Sequence, residues 1–254
     1  MTALEIWDLE VRGDTLFAAR DEPDFAARLA EGIDAIRRGE AQTRSRITLP
    51  EACRAIDAIF AGGGGVTGAI EAALRAIGLP FHRGDAFAGE AGGLDLLDAI
   101  GSRSGLVVDV GQSAIKISAR GGRVRIDRDF QRLPVTRPLG DRGDPRDPFR
   151  DFVAASVAAA MRDFGEADAL VLALPAELDD DGRPEGSSYP GLQGDRELAA
   201  EVLKRAGIPG ARAILLNDAE LCALSARRVV PARSTALVLT IGFGIGGALL
   251  LPRG

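Results

Sequence analysis

Residues 106–116, with the sequence LVVDVGQSAIK, are an apolar run that ends in an aspartate and a glycine turn and then resumes as alternating apolar residues. This pattern predicts a β-hairpin with strands over 105–110 and 114–119. Residues 237–247, LVLTIGFGIGG, repeat the pattern at an offset of 237 − 106 = 131 residues. A repeat of such long period predicts two similar lobes, each containing one of these hairpins.

Strand-like and helix-like stretches alternate around both hairpins, which favours an α/β fold. Further strands are predicted over 3–11, 58–61, 123–129, 169–174 and 213–216. Helices are predicted from Pro23 onward, with Phe25, Leu29, Ile33 and Ile36 on one face, and over 67–77, 89–100, 149–164, 197–205 and 219–228. The polar stretches 132–146 and 178–195 are expected to be loops.

The composition is typical of a folded acidic protein and excludes several functional classes. The chain has 254 residues, 46% of them hydrophobic, and a formal charge of 31 − 37 = −6. Without a global positive field we expect no nucleic-acid or membrane partner. The chain has two cysteines, Cys53 and Cys222, and one histidine, His82, which is expected in a polar loop. Their number and spacing suggest neither a disulfide framework nor a zinc site. No targeting segment or long apolar run is recognised, so a cytoplasmic location is expected.

Three glycine-containing turns are candidate anion sites, because backbone N–H groups can approach a phosphate where no Cβ intervenes. They lie at Gly111, at Gly62–Gly65, and at Gly242, Gly244, Gly246 and Gly247. No GxxxxGK[ST] sequence is present, so a P-loop is not indicated. The same glycines also suit tight turns or close helix packing, and that alternative stays open.

These stretches resemble the nucleotide-binding elements of the actin, hexokinase and sugar-kinase superfamily, most closely its ROK branch. Residues 109–116, DVGQSAIK, are similar to the first phosphate motif, DxGxTxxK, and residues 240–247, TIGFGIGG, to the second, TxGTGIGG. Asn217-Asp218-Ala219 resembles the NDA motif whose aspartate is the general base. Residues 174–192 are similar to the segment that leads to the sugar site, and 62–65 with 87–93 to the adenosine motif.

The order of these elements differs from that of the family, where the adenosine element follows the second phosphate motif. Here it precedes the first, so the resemblance implies a circularly permuted, two-lobed actin-like ATPase (ribonuclease H-like) fold. Residues 104–231 would form the first lobe, with the first phosphate motif and the acceptor site. Residues 1–103 with 232–254 would form the second lobe. Residues before 100 and after 232 are then expected to share one sheet.

The resemblance also implies ATP and Mg²⁺ as cofactors, bound between the lobes. Asp109 would hold the metal through water, and Asp218 would accept the proton of the acceptor hydroxyl. The expected phosphate and nucleotide contacts are Asp109, Gly111, Gln112, Ser113, Gly242, Gly244, Gly246, Gly247, Gly63, Gly64 and Gly65. The expected acceptor contacts are Asn217, Gly191 and Leu192. Lys116 is expected to be a solvated strand end, and a helix cap is the alternative role for Asp218.

The implied function is that of an ATP-dependent kinase that phosphorylates a hydroxyl of a small molecule, such as a sugar or polyol. Gly191 replaces the asparagine with which the family contacts its sugar, and the hexose-gripping residues have no counterpart in 1–42. A hexose substrate is therefore not indicated. The alternative is a non-kinase ATPase or a nucleotide-sensing regulatory protein. A small-molecule acceptor is the expected partner, and a homodimer is a further possibility.

Overall fold

A computed structural model of the chain describes residues 2–3, 24–38, 50–111, 114–127, 146–179, 181–185, 192, 194–242 and 245–253. These residues form an α/β structure with two five-stranded mixed sheets and a small two-stranded one. The chain divides into two compact units: unit 1 comprises Met1–Gly92 and Ala219–Gly254, and unit 2 comprises Gly93–Asp218. None of the helices in the described ranges combines the length and the apolar character needed to cross a bilayer.

The described residues form seven helices and twelve strands. The helices are α1 (Phe25–Arg38), α2 (Pro50–Arg54), α3 (Gly68–Ala76), α4 (Glu90–Ala99), α5 (Arg146–Phe164), α6 (Leu198–Arg205) and α7 (Asp218–Ala226). The strands are β1 (Thr2–Ala3), β2 (Ile56–Gly62), β3 (Phe81–Arg83), β4 (Leu106–Val110), β5 (Ala114–Ala119), β6 (Gly122–Asp127), β7 (Ala169–Leu174), β8 (Glu177–Leu178), β9 (Pro184–Glu185), β10 (Arg212–Asn217), β11 (Thr235–Ile241) and β12 (Ile245–Leu250).

The sheet of unit 1 joins residues from the two ends of the sequence in the strand order β1-β12-β11-β2-β3. β11 is parallel to β2, and β2 is parallel to β3. β12 is antiparallel to both β11 and β1, with Thr2 opposite Leu249. The expectation that segments before residue 100 and after residue 232 share one sheet is therefore confirmed.

The sheet of unit 2 has the order β10-β7-β4-β5-β6, with β4, β7 and β10 parallel and the hairpin strands β5 and β6 antiparallel. The strands of unit 1 match those of unit 2 when β11, β12, β1, β2 and β3 are set against β4, β5, β6, β7 and β10. Matched in this way, the two sheets have the same order of strands and the same parallel and antiparallel pairings. The repeat offset of 131 residues relates β5 to β12 from end to end, since 114 + 131 = 245 and 119 + 131 = 250. The repeated sequences thus occupy equivalent strands in the two sheets.

The core of unit 1 follows from the periodicity of its helices and the continuous apolar runs of its central strands. Phe25, Leu29, Ile33 and Ile36 are buried, as the spacing predicts for one face of α1. β2 and β11 are buried along most of their lengths, because a central parallel strand is covered on both faces. Thr67 caps α3, its hydroxyl accepting a hydrogen bond from the N–H of Ile70 at 3.3 Å.

The core of unit 2 lies between its sheet and the helices α5 and α6. All six residues of β7 are buried. Val153, Val157 and Ala160 of α5 pack in the same core cluster as Ile115 and Ile117 of β5. Gly207 ends the turn after α6 with a φ of 84°, as expected for the glycine predicted to close that helix.

Three sequence expectations differ from the structure. His82, expected in a loop, lies in β3, where it pairs with Phe60; a three-residue edge strand is too short to leave a readable pattern. The expected loop 178–195 contains Leu178 of β8 and all of β9, which pair as a hairpin. Asp179 closes the turn of this hairpin by accepting hydrogen bonds from the N–H groups of Asp181 and Arg183. The strand expected at 58–61 starts earlier, at Ile56. Residues 4–11 of the expected strand 3–11 and residues 132–145 of the expected loop 132–146 lie outside the described residues.

The carboxylate of Asp168 fixes the segment that leads into β4. It accepts hydrogen bonds from the Ser102 hydroxyl, from the N–H of Arg103 at 2.8 Å, and from the N–H of Ser104 at 3.4 Å. The hydrogen bond from Ser102, and next that from Arg103, lower the pKa of Asp168 from its usual value. The ionised form is therefore favoured in the folded unit, and its contribution to stability is present at neutral pH.

We predict that Asp168→Asn lowers the melting temperature at pH 7, because an amide N–H₂ cannot accept from the donors of Ser102, Arg103 and Ser104 that surround the carboxylate. A carboxyl whose pKa is lowered in the folded state stabilises the fold fully above its usual pKa of about 4, and this effect is lost as the pH falls from there through the lowered pKa of the folded state. The difference in melting temperature between wild type and variant should therefore shrink below pH 4. Asp163→Asn, at an exposed position, is the control. Equal melting temperatures at pH 7 would contradict this account.

Candidate functional site

In unit 2 the expected metal-binding and catalytic residues lie at the carboxyl ends of parallel strands, Asp109 within β4 and Asp218 directly after β10. In the register, Asp109 of β4 lies opposite Ala173 of β7, which lies opposite Leu216 of β10. Asn217 ends β10, and Asp218 begins α7. Asp109 and Asp218 thus belong to the same sheet edge, two strands apart, which is roughly 10 Å at the usual strand spacing. This edge is where open α/β sheets bind ligands.

The carboxylate of Asp109 forms an ion pair with Lys116, which lies opposite it in the antiparallel β4–β5 ladder. Lys116 Nζ donates to Asp109 Oδ2 at 2.9 Å, and the two side chains are only 18% and 22% exposed. The expectation that Lys116 is a solvated strand end is therefore wrong. The hairpin register was the signal that could have revealed this pair, since residues 109 and 116 flank the turn symmetrically.

The charge balance at Asp109 limits how a metal could bind there. Among the described residues, Asp109 Oδ1 has no protein hydrogen-bond donor, whereas Oδ2 already faces the Lys116 ammonium group. The described residues also contain no group of three or more His, Cys, Asp or Glu side chains that could hold a metal ion. Mg²⁺ usually keeps several waters and uses one or two carboxylates together with phosphate oxygens. Asp109 fits such a water-mediated contact and not a closed protein cage.

Asn217 and Leu192, both expected at the acceptor, make contacts within unit 2. The side-chain amide of Asn217 donates to the carbonyl of Ala176 at 2.9 Å and so ties the end of β10 to the segment after β7. Leu192 is fully buried in the core cluster of the unit. Its side chain therefore contributes to packing, while Asn217 holds two strand ends together beside Asp218.

In unit 1 the glycine segment 62–65 follows β2 and packs against the end of the neighbouring strand β11. The N–H of Gly65 donates to the Ile241 carbonyl at 2.7 Å. A Cβ would lie 2.4 Å from that oxygen on Gly63 and 2.8 Å from it on Gly65, and Gly63 has a φ of 104°. Gly63 and Gly65 therefore satisfy the tight-turn interpretation, since a larger residue would collide with backbone at either position.

Two other glycines at the same edge of this sheet have open space on the side where a Cβ would lie. A Cβ on Gly64 or on Gly242 would meet nothing within 4 Å. Gly246 and Gly247, expected in a turn, are instead strand residues of β12 opposite Thr240 and Leu239. Fewer of these glycines than the sequence suggested therefore lie in a turn with open space beside them.

Thr240 and Arg83 also lie at this edge, and no individual role was expected for either residue. Thr240 sits in the sheet between Gly62 and Gly246, and its Oγ1 is buried without a hydrogen-bond partner among the described residues. Arg83, at the end of β3, donates to the Val66 carbonyl at 3.1 Å and pairs with Glu71 at 2.5 Å. Arg75 first, and then Arg83, lowers the pKa of Glu71. Nothing in the sequence could have placed Arg83, because the short strand β3 was not recognised.

The remaining expected contacts are only partly described. The N–H of Gly111 donates to the Asp109 carbonyl at 3.2 Å, and a Cβ there would lie 2.9 Å from the Ala114 carbonyl oxygen, so Gly111 makes a tight turn. Gln112, Ser113, Gly191 and Gly244 lie outside the described residues.

Comparison with known proteins identifies no relative for this arrangement: no protein-family model matches the chain, and no curated protein is similar to it.

We predict that three of the four glycines of the 62–65 segment, Gly63, Gly64 and Gly65, differ sharply in the substitutions that they tolerate. Gly65→Ala and Gly63→Ala should destabilise the fold by about 1–3 kcal/mol, because the added methyl group meets the fixed Ile241 carbonyl. Gly64→Ala should leave stability within about 0.5 kcal/mol of wild type, since its Cβ enters open space. Urea unfolding of the three variants measures this. Equal destabilisation by all three would contradict the described packing.

Proposed function

We propose that the protein is an ATP-dependent phosphotransferase that transfers the γ-phosphoryl group to a hydroxyl of a small molecule, such as a sugar or polyol. The observation that carries the proposal is the position of Asp109 and Asp218 at the carboxyl edge of one sheet. A metal-associated aspartate and a second carboxylate for the acceptor hydroxyl are what this reaction requires of side chains. The open space beside Gly64 and Gly242, next to a Thr240 hydroxyl that has no hydrogen-bond partner among the described residues, supports a nucleotide contact in unit 1.

The proposal includes a circularly permuted actin-like ATPase fold of the ROK type. It is supported by the identical succession of strand orientations in the two sheets when unit 1 is read from β11. It is also supported by the 131-residue offset that relates β5 to β12. The lobe boundaries at 103/104 and 231/232 remain part of the proposal, and the compact units divide at 92/93 and 218/219.

Each side chain in this mechanism has a limited task. Mg²⁺, when bound with ATP, neutralises charge on the phosphates. Asp109 would hold water of the metal through Oδ1 while Lys116 fixes the carboxylate through Oδ2. Asp218 would accept the proton of the acceptor hydroxyl. Asn217 would position Asp218 by tying β10 to the Ala176 carbonyl.

A nucleotide-sensing protein without transfer activity is the second candidate. The Asp109–Lys116 pair favours it, because an ammonium group 2.9 Å from the carboxylate opposes a second cation. Gly191 at the position of the family's sugar-contacting asparagine points the same way. Both candidates require nucleotide binding, and only the first requires a base at Asp218.

We predict that ATP with Mg²⁺ raises the melting temperature of the wild-type protein. A ligand that binds only the native state adds about 2.7 kcal/mol at a hundredfold excess over Kd. Gly64→Ala should keep the unliganded melting temperature but show a smaller shift with ATP, because its methyl group occupies the open space. Gly121→Ala, which also enters open space, is the matched control and should respond like wild type. The absence of any shift with millimolar ATP, ADP or GTP would refute nucleotide binding.

We predict that Asp218→Asn lowers the rate of phosphoryl transfer by about 10²- to 10⁴-fold, because the amide cannot accept a proton. ATP affinity should change little, since Asp218 is assigned to the acceptor. The assay measures ATP consumption over a panel of sugars, amino sugars and polyols. Glu220→Gln, two residues further along α7, is the control. Transfer that survives Asp218→Asn within threefold would remove Asp218 from the mechanism, and a wild type inert toward every acceptor would favour the sensing protein.

A further inference from the structure

We propose that one face of unit 1 is a docking surface for an acidic segment of a partner protein. The face, called here the arginine surface, consists of Arg227, Arg228, Arg233 and Arg253 together with Val229 and Leu251. It lies where the turn after α7 meets the residues that follow β12. The proposal is independent of the nucleotide chemistry described above.

The arginine surface is drawn from a stretch of sequence that contains no acidic residue. Residues 221–254 contain four arginines and no lysine, aspartate or glutamate. The whole chain carries a formal charge of −6, so everything outside these arginines sums to −6 − 4 = −10. Residues 221–254 thus carry a net positive charge in a protein that is acidic as a whole, which is the pattern expected of a surface with a negatively charged partner.

Hydrogen bonds bring these residues, which are separated in sequence, into one continuous and ordered surface. The guanidinium group of Arg253 donates to the Arg227 carbonyl at 3.0 Å, and the N–H of Arg253 donates to the Ala232 carbonyl at 2.8 Å. The turn itself is held by bonds from the N–H groups of Val229 and Val230 to the Ala226 carbonyl. A surface that is ordered before binding loses little conformational entropy when a partner docks.

Three of the four arginines of this surface lack the ion pairs that other arginines of unit 1 form. Arg37 pairs with Asp34, and Arg75 and Arg83 pair with Glu71. Within the described ranges, Arg227, Arg233 and Arg253 pair with no acidic side chain. Acidic groups of a partner would therefore not have to displace an existing intramolecular pair.

Exposed apolar side chains accompany these charges. Val229 is 51% exposed and Leu251 is 39% exposed, and they are the exposed large hydrophobic residues of the described chain. Pro231, Ala232 and Pro252 beside them are exposed as well. Arginine combined with apolar contact area, in the absence of acidic residues, is typical of protein–protein interfaces.

A protein segment fits this surface better than a membrane or nucleic acid. Both of those partners extend well beyond a patch of this size and would bring negative charge against a protein whose remaining residues sum to −10. Within a Debye length of about 8 Å that repulsion opposes binding. A short acidic segment with one or two apolar side chains contacts the arginines and Val229 and Leu251 without meeting the acidic remainder.

The test measures binding of a fluorescein-labelled twelve-residue peptide of alternating glutamate and leucine by fluorescence anisotropy. Arg233→Glu with Arg253→Glu should weaken binding by at least about tenfold, and Val229→Ser with Leu251→Ser should also weaken it. Arg162→Glu with Arg196→Glu, at exposed positions of unit 2, is the matched control and should bind like wild type. Affinity of the wild type should fall as NaCl is raised.

Three results would overturn the proposal. Wild-type protein that does not bind the peptide at low salt has no such surface. Equal loss of binding in the Arg162/Arg196 control would mean a general charge effect. Tighter binding to phosphatidylserine vesicles or to a duplex oligonucleotide than to the peptide would assign the surface to those partners. Circular dichroism of each variant checks that it is folded, and the salt series on the unmodified protein needs no variant.

Discussion

The parallel pairing of β2 with β11 is the interaction on which the rest of unit 1 depends. It joins residues 56–62 to residues 235–240, which are far apart in the sequence, and it leaves the glycine segment 62–65 against the Ile241 carbonyl. Glycine at positions 63 and 65 is required for this approach, because any Cβ would collide with that oxygen. Gly64, Gly242 and the buried Thr240 hydroxyl are placed at the carboxyl edge as a result.

Much of the fold could be predicted because apolar periodicity is strong in the central strands and in α1. Phe25, Leu29, Ile33 and Ile36 predicted one buried helix face, and the repeated hairpin sequences predicted equivalent strands in two sheets. The edge strand β3 could not be predicted, since a strand of three residues, two half-buried and one exposed, is too short to show a period. For the same reason the position of Arg83 beside the glycine segment could not be predicted from the sequence.

The sequence predicted which residues belong to the candidate site, but not the ion pair that Asp109 forms there. Asp109 and Asp218 follow parallel strands, and the rule that strand ends share an edge brings them together. Lys116 depends on the register of an antiparallel hairpin, which sets a cation against the carboxylate that the proposed function assigns to Mg²⁺. The burial of Leu192 likewise depends on tertiary packing, which no local pattern reports.

Hydrogen–deuterium exchange with and without ATP and Mg²⁺ tests the central claim most directly, because it reports on both units at once. The account predicts slower exchange in peptides that contain residues 62–65 and residues 109–111, with the arginine surface at 227–233 unchanged. Slower exchange in only one of these two sets of peptides, or no change at saturating nucleotide, would contradict the assignment of nucleotide contacts to both segments.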